Sequence, residues 1–258
     1  MAFAQHAPIM GKSFCFALLF LTRIPVPQKW QHYDSHTQSQ SIYWHPVIGA
    51  IIGAILFGSY QLLQLTGLAN HIFPVSALLL LLWILITGGL HLDGLGDSAD
   101  GWLGGYGDKD RTLAIMKDSH SGAAAVIAIT SVLLLKVVAL AAVISTAPYW
   151  LLLVPAFARL NSIILFATTP YARSEGLGSP FASGLNLPLI GLLCGLMAII
   201  LWLAGGITGL SLLFGGAILT ALLRRQMIRR IDGTTGDTAG ATIEIIEAFS
   251  FIFILLIP

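Results

Sequence analysis

Three carboxylates recur at short spacing in Gly88-Gly-Leu-His-Leu-Asp-Gly-Leu-Gly-Asp-Ser-Ala-Asp-Gly101: Asp93, Asp97 and Asp100. On a helix turning 100° per residue they fall at about 0°, 40° and −20°, one narrow face with three negative charges. Like charges at i, i+4 destabilise a helix, so the spacing asks for an offsetting charge, and a divalent cation supplies one. The bland alternative is a solvated helix end with scattered acids. Three of the chain's 12 acids on one face beside a long apolar run is more than solvation needs. The glycines at 94, 96 and 101 leave room for a bulky group to approach.

A second acidic stretch is Gly233-Thr-Thr-Gly-Asp-Thr-Ala-Gly-Ala-Thr-Ile-Glu-Ile-Ile-Glu247. On a helix Asp237, Glu244 and Glu247 again share a side, at about 0°, −20° and −80°. A helix N-terminus favours an acid through its dipole, which accounts for Asp237 without any function. Glu244 and Glu247 lie deeper in an apolar segment, where carboxylates are rare and mostly functional. Lys136 and Arg159 also interrupt apolar segments. They are either paired with acids for structural reasons or form a basic pocket for phosphate, which arginine grips bidentately. In the mixed-charge stretch 107–122, Arg111 and Lys117 could hold phosphates, and Asp118 could orient one of them or a metal; ordinary surface charge is the alternative.

The seven histidines make no H-E-x-x-H or Cys/His zinc pattern, and only His91 lies beside the acids. An all-oxygen ligand set from Asp93, Asp97, Asp100, Asp237 and Glu244 points to Mg2+ or Mn2+. Acids, a divalent metal and nearby Arg and Lys together suit one reaction class. An alcohol attacks a nucleotide-activated diphosphate and a nucleoside monophosphate leaves, with charge neutralised by the metal. Asp97 or Asp100 would accept the hydroxyl proton.

The elements that must position these groups are membrane helices. Hydrophobic residues make up 56% of the 258-residue chain and charged residues 10%, against about 25% charged in soluble domains. The expected fold is all-α, a polytopic helix bundle forming one integral membrane domain over residues 1–258. Seven apolar segments can be drawn, roughly 43–66, 74–91, 121–146, 149–169, 187–205, 207–223 and 242–257. The run Ser13–Leu21 is too short to span, since about 20 residues are needed, and is expected as an interfacial or re-entrant helix. Eleven of the 13 basic residues fall in alternate connections: Lys12, Arg23 and Lys29; Lys109, Arg111 and Lys117; Arg173; and Arg224, Arg225, Arg229 and Arg230, expected in a 224–241 loop. The positive-inside rule makes that side cytoplasmic. The N-terminus and the acids then face the cytoplasm and the C-terminus the periplasm, in a cytoplasmic (inner) membrane. A net charge of +1 offers no basic face for nucleic acid, and Cys15 and Cys194 form no disulfide framework.

Taken in order, the motifs resemble the cobalamin (5′-phosphate) synthase family, the adenosylcobinamide-GDP ribazoletransferases. They are Thr22-Arg-Ile-Pro-Val-Pro27, the 88–101 stretch, Asp110-Arg111 with Ile115-Met-Lys-Asp-Ser119, Lys136, Arg159, Tyr171-Ala-Arg-Ser-Glu-Gly-Leu-Gly178, and Thr235-Gly-Asp-Thr-Ala-Gly-Ala241 with Glu244 and Glu247. The resemblance implies a membrane enzyme that joins adenosylcobinamide-GDP to α-ribazole or its 5′-phosphate, releases GMP and uses Mg2+. It adds Arg23, Arg173 and Glu175 as site residues and assigns Glu247 to the substrate. Two positions depart from the family's pattern, Ala114 where Glu is common and His120 where Arg is common, and neither is placed in the site. The acidic motif is also similar to that of CDP-alcohol phosphotransferases, but Asp97-Ser-Ala-Asp100-Gly is not followed by Ala-Arg. A cation-coupled transporter is the rival from another class. It would favour midplane ion sites and inverted repeats, whereas the aspartates sit at an apolar boundary and no repeat shows.

Overall fold

The structure, a computed structural model, describes residues 3–31, 33–173, 176, 178–181 and 184–257. Among them the regular elements are helical: α1 Phe3–Leu21, α2 Ser35–Gln40, α3 His45–Gln64, α4 Ile72–Thr87, α5 Leu90–Gly104, α6 Lys109–Ile115, α7 Ala123–Thr146, α8 Trp150–Thr168, α9 Leu187–Ile231 and α10 Gly236–Leu256. Five of these elements are long and apolar enough to cross a membrane, six if α4 and α5 count as one broken span. The polytopic all-α expectation therefore stands, and each of the seven apolar segments falls on helix. Two breaks shape the spans.

The first break is Gly206. Its φ of 54° and ψ of −126° are non-helical, and a Cβ added at Gly209 would strike the Leu201 carbonyl. The chain thus folds back there, and α9 has two arms, 187–205 and 207–231, in keeping with the two spans expected on either side of Gly206. The second break is the Gly88-Gly89 pair, both left-handed at φ 65° and 69°. Glycine reaches that region without a Cβ penalty. The pair ends α4 after 16 residues and swings α5 away at 87°.

Two boundaries also differ from expectation. Helix α1 starts at Phe3, ten residues before Ser13, because Ala4, Gln5 and Ala7 sustain helix. It packs on the bundle, with Ala17 and Leu21 buried in the core. Arg224, Arg225, Arg229 and Arg230 lie on α9 rather than in a loop. Ala-Leu-Leu-Arg-Arg-Gln is strong helix-forming sequence, and cations suit a helix C-terminus. Charge there marks the end of the apolar run, not the end of the helix.

The core is centred on α8, 14 of whose 19 residues are buried. Glycines on α3 set its closest contact. At Gly49 a Cβ would meet the Pro155 carbonyl at 2.4 Å, and at Gly53 the Leu151 carbonyl at 2.5 Å. Such backbone approach between apolar helices is how small residues stabilise packing where lipid removes the hydrophobic drive.

Candidate active site

The aspartate face forms as its spacing predicts, on α5 lying against the start of α10. Gly94 permits the contact, since a Cβ there would sit 2.9 Å from the Asp237 Cα. The N-terminus of α10 is fixed by a capping box. Thr235 accepts from the Thr238 N–H at 3.2 Å, and the Thr238 hydroxyl accepts from the Thr235 N–H at 2.8 Å. Asp237 thereby reaches the α5 acids. The Asp97 carboxylate lies within electrostatic range of Asp93, Asp237 and Asp100, and of the Arg173 guanidinium.

The three α5 acids have different surroundings. Asp93 is exposed, and Asp97 and Asp100 are half-buried. Asp100 accepts the Gly122 N–H at 2.6 Å and the Ala125 N–H at 3.0 Å. It caps α7 from outside, supplying the acceptor that Gly122, at the N-cap position, cannot. A Cβ at Gly122 would lie 2.7 Å from an Asp100 carboxylate oxygen, so the cap requires glycine there.

Arg173 donates from one terminal nitrogen to Asp237 at 2.8 Å. Its Nε and second Nη are buried and, among the described residues, have no partner. Its segment is pinned by a parallel bridge between Tyr171 and Thr234. The Ala172 N–H donates to the Thr234 carbonyl and the Thr234 N–H to the Pro170 carbonyl, each at 2.8 Å. Glu175 lies outside the described residues. The exposed Arg23 crosses the α4–α5 corner: its N–H donates to the Ile86 carbonyl at 2.7 Å, and its side chain fills the space a Cβ at Gly88 would need.

Helix α6 is capped by Asp108, which accepts the Arg111 N–H at 2.9 Å. The side chains of Arg111 and Lys117 are exposed. A cleft of about 260 Å³ joins Asp100, Asp118, His120 and Gly122. Asp118 accepts from the His120 ring at 2.7 Å and from its N–H at 3.0 Å, and these bonds hold its carboxyl below the usual range. His120, outside the site expected from the sequence, lies in this cleft with its side chain exposed. A second cleft, about 560 Å³, is lined by Lys12, Gln31, Tyr33, Asp34 and Thr37 and by none of the candidate acids.

Glu244, Lys136, Arg159 and Glu247 form a separate, buried group. Lys136 donates to Glu244 at 2.6 Å and also to Glu247, and Arg159 donates to Glu247 at 2.6 Å and to the Pro155 carbonyl at 2.9 Å. Glu244 is thus drawn to Lys136 and is not brought to the aspartates. Glu247, ten residues beyond Asp237, lies about 15 Å further along α10. The sequence left open whether Lys136 and Arg159 pair with acids or face phosphate, and the geometry gives each an acid.

The donor chemistry around Asp97 fits a hard divalent cation: oxygen ligands only, from Asp93, Asp97 and Asp237. The Arg173 guanidinium already offsets part of that charge. Among the described residues no three acid, His or Cys side chains converge on one point as they stand, so metal binding needs side-chain movement, beginning with the Asp237–Arg173 pair.

Residues 13–255 match the family described as cobalamin-5-phosphate synthase. Among curated proteins, the adenosylcobinamide-GDP ribazoletransferase of Pseudomonas paraeruginosa is 45% identical over 241 residues, 92% of this chain and 94% of that protein. The protein of the same name from Pseudomonas syringae pv. syringae is 43% identical over 235 residues, 91% of this chain and 95% of its own. No solved structure matches. With a family match that runs from α1 almost to the end of α10, through every motif that carries the aspartates and Arg173, the chain belongs to the cobalamin-5-phosphate synthase family.

Proposed function

We propose that this protein is an adenosylcobinamide-GDP ribazoletransferase that joins its GDP-activated substrate to α-ribazole or α-ribazole 5′-phosphate. The relatives' names supply the donor. The single observation that carries the chemistry is Arg173 holding Asp237 beside Asp97 while its Nε and second Nη have no partner among the described residues. The ribazole hydroxyl attacks the phosphorus on the corrinoid side of the diphosphate. A new P–O bond forms, the bond to the GMP phosphate breaks, and GMP leaves with the electron pair. Asp97, which makes no hydrogen bond among the described residues, takes the hydroxyl proton. Asp100 is committed to capping α7 and fixes the position of α5. Arg173 binds a diphosphate oxygen pair through Nε and Nη, and Arg111 and Lys117 add positive charge at the mouth. Lys136, Arg159, Glu244 and Glu247 hold the spans together rather than the substrate. Bound Mg2+, held by Asp93, Asp97 and Asp237, would neutralise charge on the diphosphate. Detergent-purified protein given adenosylcobinamide-GDP, α-ribazole and a Mg2+ titration should release GMP without any membrane gradient. No release at any Mg2+ concentration would end this reading.

Arg173→Lys keeps the charge and loses the fork. One charged hydrogen bond contributes about 1.5–3 kcal/mol, so KM for the GDP-linked substrate should rise at least about tenfold. The melting temperature without substrate should be little changed. An unaltered KM would remove Arg173 from the diphosphate site.

The orientation rests on the basic residues. A reporter inserted beside Asp108 is expected to be cytoplasmic and one fused after residue 258 periplasmic. The opposite pattern would put the acids on the wrong face for a cytoplasmic nucleotide.

A further inference from the structure

The cleft of about 260 Å³ between the end of α5, the end of α6 and the start of α7 is left unused by the transfer step. Whole small-molecule pockets measure roughly 300–1,000 Å³, so this one has room for one part of a substrate. Asp100 lies in its wall, three residues and about 4.5 Å along α5 from Asp97, so the cleft adjoins the reaction centre. The other walls are apolar, formed by Leu103, Ile115, Ala123 and Ala124. Gly104 keeps one of them flat, since a Cβ there would come within 2.9 Å of the Ile115 Cδ1. Leu103 is 72% exposed, and a planar ring laid against it would take apolar area out of water.

The polar side chains on the rim only accept. Asp118 spends Oδ1 on the N–H and the ring Nδ1 of His120, at 3.0 and 2.7 Å, and its Oδ2 has no partner among the described residues. With Nδ1 donating to Asp118, Nε2 of the neutral imidazole is an acceptor. Asp100 already serves the start of α7 through the N–H groups of Gly122 and Ala125, so the anion that a helix N-terminus attracts is in place. A phosphate in the cleft would face two carboxylates. A flat apolar body with N–H donors along one edge matches both the walls and the rim.

The two bases of the proposed reaction differ in this respect. Guanine carries N1–H and a 2-amino group on one edge, whereas the dimethylbenzimidazole of α-ribazole has no N–H. We propose that this cleft is the guanine subsite, in which Asp118 Oδ2 and His120 Nε2 accept from the N1–H and 2-amino groups of the GDP-linked donor. The identity of the ligand rests on the transferase reading. Asp118 and His120 then select the nucleotide and take no part in the transfer itself.

Equilibrium binding of GMP, IMP and AMP to the detergent-purified full chain, with Mg2+ and without α-ribazole, tests this apart from turnover. IMP lacks only the 2-amino group of GMP. GMP should bind at least about tenfold more tightly than IMP, the effect of one hydrogen bond to a charged acceptor, and AMP should bind more weakly still. Asp118→Asn changes an exposed side chain, so it should leave the melting temperature unchanged and bring GMP down to the affinity of IMP. GMP bound no more tightly than IMP by the unmodified protein overturns the subsite, and so does a preference that survives in Asp118→Asn. Where GMP release from adenosylcobinamide-GDP accompanies either result, the transferase reading stands and the subsite alone falls.

Discussion

Asp97→Asn is expected to yield folded protein that releases GMP at least about a hundredfold more slowly, the lower end of what a positioned general base contributes. Asp97 makes no hydrogen bond among the described residues, and its charge is felt by Asp93, Asp237 and Arg173. Loss of its charge should therefore act on turnover and not on folding. Asp100→Asn should show the reverse balance. Its carboxylate accepts two backbone N–H groups of α7, and an amide offers one acceptor oxygen in place of two. A cap is worth about 1 kcal/mol, so that variant should melt earlier and keep most of its turnover. Rate and melting temperature measured on both variants decide the assignment. If Asp100→Asn loses the rate and Asp97→Asn keeps it, the two roles are exchanged.

Glu247→Ala is expected to cost about 3–5 kcal/mol, because it leaves Arg159 and half of the Lys136 pairing uncompensated in the interior. At about 2–4 °C per kcal/mol for a chain of this size, the melting temperature should fall by on the order of 10 °C. Glu247 is fully buried and joins α10 to both α7 and α8. Glu244→Ala should cost less, since Lys136 then keeps Glu247. Arg159→Ala offers the converse test, stranding Glu247 with Lys136 alone. A Glu247→Ala protein with unchanged melting but weakened substrate affinity would return this group to the substrate site.

The aspartate face was legible because a helix converts spacing into direction: 93, 97 and 100 share a side wherever the segment is helical. The break at Gly206 was legible as the only interruption between two apolar runs. The turn at Gly88-Gly89 was not, since adjacent glycines state that the backbone is free and not which way it goes. Partners distant in the chain were hidden for the same kind of reason. Lys136 finds Glu244 across 108 residues and Arg159 finds Glu247 across 88, and a one-chain sequence shows that a buried charge needs a partner without naming it. Asp100 looked equivalent to Asp97 because the N–H groups it caps belong to a helix that starts 23 positions later. The arginines of α9 were misplaced because hydropathy reports where lipid ends, while helix propensity continues through Arg and Gln to Ile231.

The right-angled corner after α4 has a consequence for traffic. The two glycines set α5 at 87° to α4, so Asp93 and Asp100, about 10 Å apart along α5, are spread across the axis of α4 rather than stacked along it. An acidic face laid across the preceding helix can be approached from beside α4 as well as from its end.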